Sequence, residues 1–401
     1  MIRVEQALNS ILEHISLLSH EEVKLLESLN RVAAEDIYTD MDVPYLNNSA
    51  MDGYALCSCD TTGATKASPK TFKIIETIKA GSLPSKKVDQ NQAAKIMTGA
   101  PVPEGADSVI KVEDTEEEGK DRVKIFTQAK DELNIRKSGE DFKKGELVLS
   151  SGTLISPAYI GVLASIGQAS LKVFKRPKVA ILATGDEVID VEDTFAKGKL
   201  RSSNTYSLYS QIIEVGASPV NLGIVPDDPQ RLKEKINEGS GCDIILTSGG
   251  VSMGEYDFVK VVLEELGTDI KFCKVAMRPG KPIVFGLLDG KLVFGLPGNP
   301  VSSMIGFEIF VKPAISKMLG RPNCKKQEVD AVLEEDVEKK KGLKYFMRAQ
   351  TRWENGIYLT HPAGPQGSGI LKSMAIANSL MILPYDQEFL SKGTKVKIRF
   401  L

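Results

Sequence analysis

The sequence predicts a multidomain α/β plus β protein: an α/β domain with a largely parallel sheet, a helical domain, a β-rich inserted domain and a small, β-barrel-like C-terminal domain. Three observations predict it. The 401 residues exceed one ordinary domain and suit two to four, each with its own core. From about 177 to 320 the chain repeats apolar strand, glycine loop and amphipathic helix, the pattern of a parallel sheet covered on both faces. On either side, short alternating segments are broken by Gly, Pro and charge clusters, as in antiparallel β structure.

Taken in order, residues 1–44 and 146–176 form the helical, dimerisation or linker domain. Val4, Leu8, Ile11, Leu12 and Ile15 are spaced as one face of an amphipathic helix, which also excludes a signal peptide. In "SHEEVKLLESLNRVAAEDI", Ser19 as N-cap and Glu22 as its capping-box partner predict a second helix with Val23, Leu25, Leu26 and Leu29 as its buried stripe. "SPAYIGVLASIG" predicts a third, with Pro157 in its first turn, packing back on the N-terminal helices.

Residues 45–145 are the β-rich insert, with "EDTEEEGKD" as a solvated hairpin tip. Residues 177–322 are the α/β domain and 323–401 the C-terminal β domain, punctuated by "KKKG", "NG" and "SKGT" turns.

Composition narrows the function. A formal net charge of −2 with no long basic run among aromatics argues against a nucleic-acid role, so any anion must be held by local groups. Five cysteines without CxxC spacing and three histidines exclude a disulfide framework or an obvious zinc cage and fit the reducing cytoplasm. No apolar run reaches transmembrane length.

Three strand ends of the α/β region run into glycine loops: "ATGDE", "TSGGVSMGEYD" and "GLPGNPVSS". Glycines let backbone N–H groups approach an anion, and helices started there offer free amides. Gly249, Gly250, Pro297, Gly298 and Asn299 are therefore expected to bind substrate. Asp186, Glu187, Glu255 and Asp257 share these loops, where they would repel phosphate unless a hard cation such as Mg²⁺ stood between. The same acids also suit helix first turns, Asp257 ahead of "FVKVVLEEL" among them. "AMRPGKPIVFG" sets Arg278 and Lys281 on a Pro-Gly turn able to clamp a tetrahedral oxyanion. In the insert, "NNSAMDGYAL" is a turn leading into a strand, and "KIMTGAPVPEG" presents Thr98 on a stiff turn.

Together, "NNSAMDGYAL", "IMTGAPVPEGADSVI", "NIRKSGEDFKKGE", "ILATGDEV", "SSNTYSL", "TSGGVSMGEYDFV", "MRPGKP" and "FGLPGNPVSS" resemble the molybdopterin molybdenumtransferase family, which includes the E domain of gephyrin. The resemblance runs from the first helix to the last β domain. It implies an elongated homodimer of four-domain subunits and a Mg²⁺-dependent insertion of molybdate into adenylylated molybdopterin, releasing molybdenum cofactor and AMP, with a separate molybdopterin adenylyltransferase as a conceivable partner. It further implies that "SAMDGY" lines the cleft at a subunit boundary, with Asp52 as a catalytic carboxylate and Ser49 a ligand contact. Thr98 and Asp141 match cleft positions, Glu187 and Asp257 positions that handle metal and pterin substrate, and Lys281 with Arg278 the loop that receives molybdate. Many relatives carry lysine where Arg278 stands, and Arg offers a planar fork instead. Arg348, Ser368 and Ser373 match more loosely as substrate contacts. Two other functions use related folds: a non-catalytic scaffold like gephyrin, and adenylylation of molybdopterin from ATP.

Overall fold

A computed structural model describes residues 1–251, 258–321 and 328–401. Helix α1 (Val4–Glu13) opens the chain. The second helix expected after it does not form: His20–Lys24 is a strand, β1, followed by one short 3₁₀ turn over Leu25–Ser28. The physical reason lies far away in sequence. His20–Lys24 alternates between exposed and half-buried residues, and its backbone groups are taken up by a partner strand almost 150 residues later, a pairing that no local pattern announces.

The insert is one six-stranded sheet. Its strands are β2 (Gly53–Leu56), β3 (Lys70–Ile78), β4 (Gln92–Ile96), β5 (Ser108–Lys111), β6 (Thr115–Glu118) and β7 (Arg122–Ile125), in the order β5-β2-β4-β3-β7-β6. All its pairings are antiparallel except β3 with β4. Gly53 is dictated by packing: a Cβ there would lie 1.9 Å from the Ile110 carbonyl oxygen on the neighbouring strand.

After the insert come α2 (Pro157–Ser165), with Pro157 in its first turn, and β8 (Ser170–Phe174), the antiparallel partner of β1. These pack with Ala33, Ile37, Val148 and Leu149 into a small core. This region is therefore a mixed unit with one helix. Helix α1 leaves it and buries Val4, Ala7 and Ile11 in the core of the α/β domain.

That domain contains β9 (Lys178–Thr184), α3 (Ser203–Glu214), β10 (Ser218–Val225), α4 (Pro229–Glu238), β11 (Ile244–Ser248), α5 (Phe258–Glu265), β12 (Asp269–Phe272), β13 (Val284–Leu288), β14 (Lys291–Leu296) and α6 (Pro300–Gly306), which runs on as a π turn and a further helix to Met318. The sheet order is β10-β9-β11-β14-β13-β12; the first four strands are parallel, and β13 runs antiparallel to both its neighbours, β14 and β12. Period-two alternation divides β9 between two cores. Val179 and Ile181 face α1, α3 and the 300–318 helices, while Ala180 and Leu182 face α4 and α5.

The C-terminal strands β15 (Val329–Leu333), β16 (Lys344–Glu354), β17 (Ile357–Pro362), β18 (Ser379–Leu383) and β19 (Lys395–Phe400) close into a five-stranded barrel, β16-β17-β15-β19-β18 and back to β16. Met277–Arg278 of the α/β domain adds to the free side of β16, with Arg278 opposite Tyr345. That pairing carries the "MRPGKP" loop to the barrel.

Candidate functional site

Parallel strands deliver the loops at their carboxyl ends to one side of the sheet, and three of them meet in a cleft of about 670 Å³. Gly185 and Glu187 follow β9, Gly249 and Gly250 follow β11, and Pro297, Gly298 and Asn299 follow β14; Ser202, Ser203 and Asn204 at the start of α3 complete the wall. Gly249 has φ +103° and Gly250 φ +62°. A Cβ on Gly249 would sit 2.6 Å from the Thr184 carbonyl oxygen, so the loop runs against β9 as only glycine permits.

Asn204 ties the loops together. Its amide nitrogen donates to Ser248 Oγ at 2.7 Å and to the Gly298 carbonyl at 2.8 Å, joining the start of α3 to two of the glycine loops. Asn204 Oδ1 and Thr184 Oγ1, both on cleft-lining residues, are buried without a hydrogen-bond partner among the described residues. Neither residue was singled out from the sequence, although Asn204 lies in the quoted "SSNTYSL"; a polar side chain at the first turn of a helix otherwise signals only a cap.

Glu187 is exposed, and its carboxylate lies over Gly185, where an added Cβ would meet Oε2 at 2.6 Å. No helix begins at Asp186 or Glu187: the chain passes into a two-residue strand at Val188–Ile189, so neither acid is a helix cap. Asp186 instead accepts from the Asp227 backbone N–H at 3.1 Å. Glu255 and Asp257 fall outside the described residues. Among the described residues no cluster of three or more His, Cys, Asp or Glu could by itself hold a metal. The donors that line the cleft, Glu187 and Asp227, are nonetheless oxygen ligands. They suit Mg²⁺, which takes one or two carboxylates and completes its shell with water and substrate phosphates.

A second cavity, about 450 Å³, lies between the α/β domain and the barrel and is lined by Arg278, Lys339, Lys340, Tyr345, Arg348, Gln366 and Gly367. Arg278 places its guanidinium 5.7 Å from the Tyr345 ring centroid. Arg348 is 1 % exposed and has no carboxylate partner among the described residues. It donates to Ser373 Oγ at 3.2 Å and to the carbonyls of Pro365 and Gly367 at 3.2 and 2.9 Å. Burial pulls its pKa down to about 10, which still leaves it charged at neutral pH. Ser373 is thus the brace of Arg348, its hydroxyl also donating to the Ile370 carbonyl at 2.7 Å.

The two cavities share their walls. Arg278 and Pro279 line the basic one and Pro282 the glycine cleft, so Lys281, an exposed residue, stands on the loop between them. Gln366 and Gly367 line the first and Gly369 the second. Ser368 pins that loop in place, its carbonyl accepting from the Val301 N–H of α6 at 3.1 Å.

The insert holds a third group of residues. Asp52 accepts two hydrogen bonds from Thr98, at 2.7 Å from the backbone N–H and 2.8 Å from the hydroxyl, and these hold its carboxyl below the usual range. Ser49 departs from expectation. It is 1 % exposed, and its hydroxyl donates to the Met51 carbonyl at 2.6 Å, so it closes the turn that presents Asp52 and is not open to a ligand. Asp141 pairs with Arg136 at 3.1 Å. No residue of 45–145 lines either cavity of the same chain.

A lowered carboxyl pKa stabilises the folded state above the unfolded value, and that contribution fades as pH falls through the folded one. Thr98→Val removes the hydroxyl donor and keeps the backbone one. The Asp52 titration, followed by carboxyl NMR, is expected to move part of the way back up; no movement would mean that the hydroxyl does not hold the charge.

A glycine-loop cleft beyond the strand ends of a doubly wound domain, beside a basic cavity, defines a class of protein that grips anionic, phosphate-bearing ligands through backbone amides. Comparison with known proteins gives the family. Residues 2–167 match the family model described as MoeA N-terminal region (domain I and II), 180–317 the one described as probable molybdopterin binding domain, and 330–401 the one described as MoeA C-terminal region (domain IV). The Bacillus subtilis (strain 168) protein named molybdopterin molybdenumtransferase is 38 % identical over 401 residues, 99 % of this chain and 93 % of the relative. A Staphylococcus aureus (strain COL) protein of the same name is 37 % identical, covering 99 % and 95 %. The crystal structure of the molybdopterin biosynthesis moeA protein from Pyrococcus horikoshii OT3 superposes with a TM-score of 0.85 at 32 % identity, over 100 % of both chains. The chain belongs to the MoeA family of molybdopterin molybdenumtransferases and is a transferase of molybdenum cofactor biosynthesis.

Proposed function

We propose that the protein inserts molybdate into adenylylated molybdopterin, with Mg²⁺, releasing AMP and molybdenum cofactor. The observation that carries this reading is the pair of adjoining cavities, one walled by loop amides and one by four cationic side chains beside a single carboxylate, Glu338, with Lys281 between them. The phosphates of the substrate lie on the amides of Gly249, Gly250 and Gly298 and at the start of α3. Molybdate, a tetrahedral dianion, enters the basic cavity, where the forks of Arg278 and Arg348 and the ammonium of Lys281 offset its charge. Glu187, with Asp227, would hold Mg²⁺, which would supply charge neutralisation on the phosphoanhydride; Asp257, the other expected ligand, lies outside the described residues.

Asp52, Thr98 and Asp141 reach the reaction from a second copy of the chain, in a homodimer that works in the cytoplasm. The support for this is that the insert lines no cavity of its own chain, while the turn carrying Asp52 is surfaced with Tyr45, Leu46 and Met51, exposed by 70, 42 and 45 %. Held ionised by Thr98, Asp52 is a weak base, better suited to orient an attacking water than to strip its proton.

The test is AMP release from the purified protein given adenylylated molybdopterin, Mg²⁺ and molybdate, beside Asp52→Asn and Lys281→Ala. Molybdate-dependent release in the wild type, reduced at least about 100-fold in both variants, is the expected result. Binding without AMP release would leave the scaffold reading standing, and release of pyrophosphate from ATP with molybdopterin would favour the adenylyltransferase. A mixture of the two inactive variants regaining up to roughly a quarter of wild-type activity, the share of hybrid sites left intact, would support a site assembled from two copies.

A further inference from the structure

Cys57 follows β2 directly and precedes a 3₁₀ turn, Ser58–Thr61, that contains Cys59. Their sulfurs are 2.7 Å apart. A disulfide bond is about 2.05 Å long, so less than about 1 Å of approach would join them. The turn is pinned from outside: Asp107 accepts from the Ser58 backbone N–H at 2.6 Å and from the Ser58 hydroxyl at 3.0 Å, which fixes the residue between the two cysteines. Asp60 N–H donates to the Cys57 carbonyl at 3.1 Å and Thr62 Oγ1 to the Cys59 carbonyl at 2.8 Å, closing the turn on its far side. Cys59 is exposed and Cys57 half-buried, so a small oxidant reaches the pair, whereas Cys242 is buried.

We propose that Cys57 and Cys59 form a redox-active dithiol, a modification site that closes to an intramolecular disulfide by exchange with a low-molecular-weight disulfide of the glutathione class. The site is separate from both cavities, and the inference does not depend on the reaction proposed above. In the first step the Cys57 thiolate attacks one sulfur of the oxidant, forming a mixed disulfide and expelling one thiolate. In the second, Cys59 sulfur attacks the Cys57 sulfur of that mixed disulfide, and the second small thiol leaves, with the Cys59 proton passing to the departing thiolates. Two protein thiols are oxidised and one small disulfide is reduced to two thiols. Contact with the Cys57 sulfur pushes the Cys59 thiol up to about 11, which suits Cys59 to be the resolving sulfur and Cys57 the attacking one. Ser58, held by Asp107, keeps the two sulfurs on one side of the turn, so closure needs little rearrangement of the insert.

The experiment incubates the native full-length protein with oxidised glutathione, alkylates the remaining thiols under denaturing conditions and analyses the peptide spanning 57–59 by mass spectrometry. The expected result is loss of both alkyl labels with a mass lower by two hydrogens and no attached glutathione. Cys59→Ser should instead hold one glutathione on Cys57, because nothing is left to resolve it. A second arm treats urea-unfolded protein in parallel, where closure is expected to be slower. A stable glutathione adduct on the wild type, two alkylated thiols, or closure as fast in the unfolded chain as in the folded one would overturn the proposal.

Discussion

Arg348→Ala is expected to weaken molybdate binding by about 100-fold or more and to lower stability by roughly 3 kcal/mol, the loss of a buried charge-assisted hydrogen-bond donor. The side chain is buried, yet its partners among the described residues are a hydroxyl and two carbonyls, and none of these carries a negative charge. An arginine buried without a counter-ion is a costly arrangement unless a ligand supplies the missing charge. Its structural share and its ligand share can be separated. Arg348→Met fills most of the volume without charge, while Arg348→Lys keeps charge without the planar fork. Urea unfolding read beside calorimetric titration with molybdate is expected to show Met recovering stability but not binding, and Lys recovering part of the binding. Should all three variants bind molybdate like the wild type, the basic cavity is not the oxyanion site.

That cavity also shows where sequence reading stops. The glycine loops were legible because each follows a long apolar strand and pairs glycine with polar residues, so their meeting at one sheet edge follows from parallel topology alone. Arg278 and Lys281 were legible as a positive loop. Their placement, Arg278 on the wall of the basic cavity and Lys281 between the two cavities, was not, because it depends on Met277–Arg278 pairing with a barrel strand more than sixty residues on. Arg348 matched its family position only loosely, and nothing local says that it is buried. The misread segment around His20–Lys24 has the same cause. Its apolar residues fit a helical stripe, but β8 offers a ladder of backbone hydrogen bonds, and that long-range pairing overrides a weak local preference. Helix α1 forms, ending at Glu13 before the Ile15 of the expected stripe, and its face packs with side chains of the α/β domain: a helical face shows what it must bury, not which core receives it. Ser49 reversed for a nearer reason, since a serine two residues before a turn carbonyl readily bonds it.

The glycine cleft rests on Gly249, and Gly249→Ala is expected to reduce kcat/KM for AMP release by about 100-fold, the scale of a 1 Å misplacement in a preorganised site. Two costs add at this position. With φ at +103° the backbone lies where a side-chain-bearing residue is strained, and the new Cβ would meet the Thr184 carbonyl oxygen at 2.6 Å and its Oγ1 at 2.9 Å. The carbonyl cannot swing aside, because Thr184 closes β9 between two parallel neighbours. The loop must therefore move outward, taking with it the Ser248 end of the Asn204 clamp. The strain is on the order of 1–3 kcal/mol, a sizeable fraction of a stability of about 5–15 kcal/mol but below it, so the variant is expected to stay folded. Gly250→Ala provides the internal control. Its φ of +62° is a left-handed value that alanine tolerates better, and the first contact of its Cβ, at 2.8 Å, is a Val259 methyl rather than backbone. A larger activity loss at 249 than at 250, with both variants folded by circular dichroism, is the expected pattern. Equal activity in Gly249→Ala and the wild type would mean that the loop amides do not hold the reacting phosphates, and the assignment of the cleft would have to be abandoned.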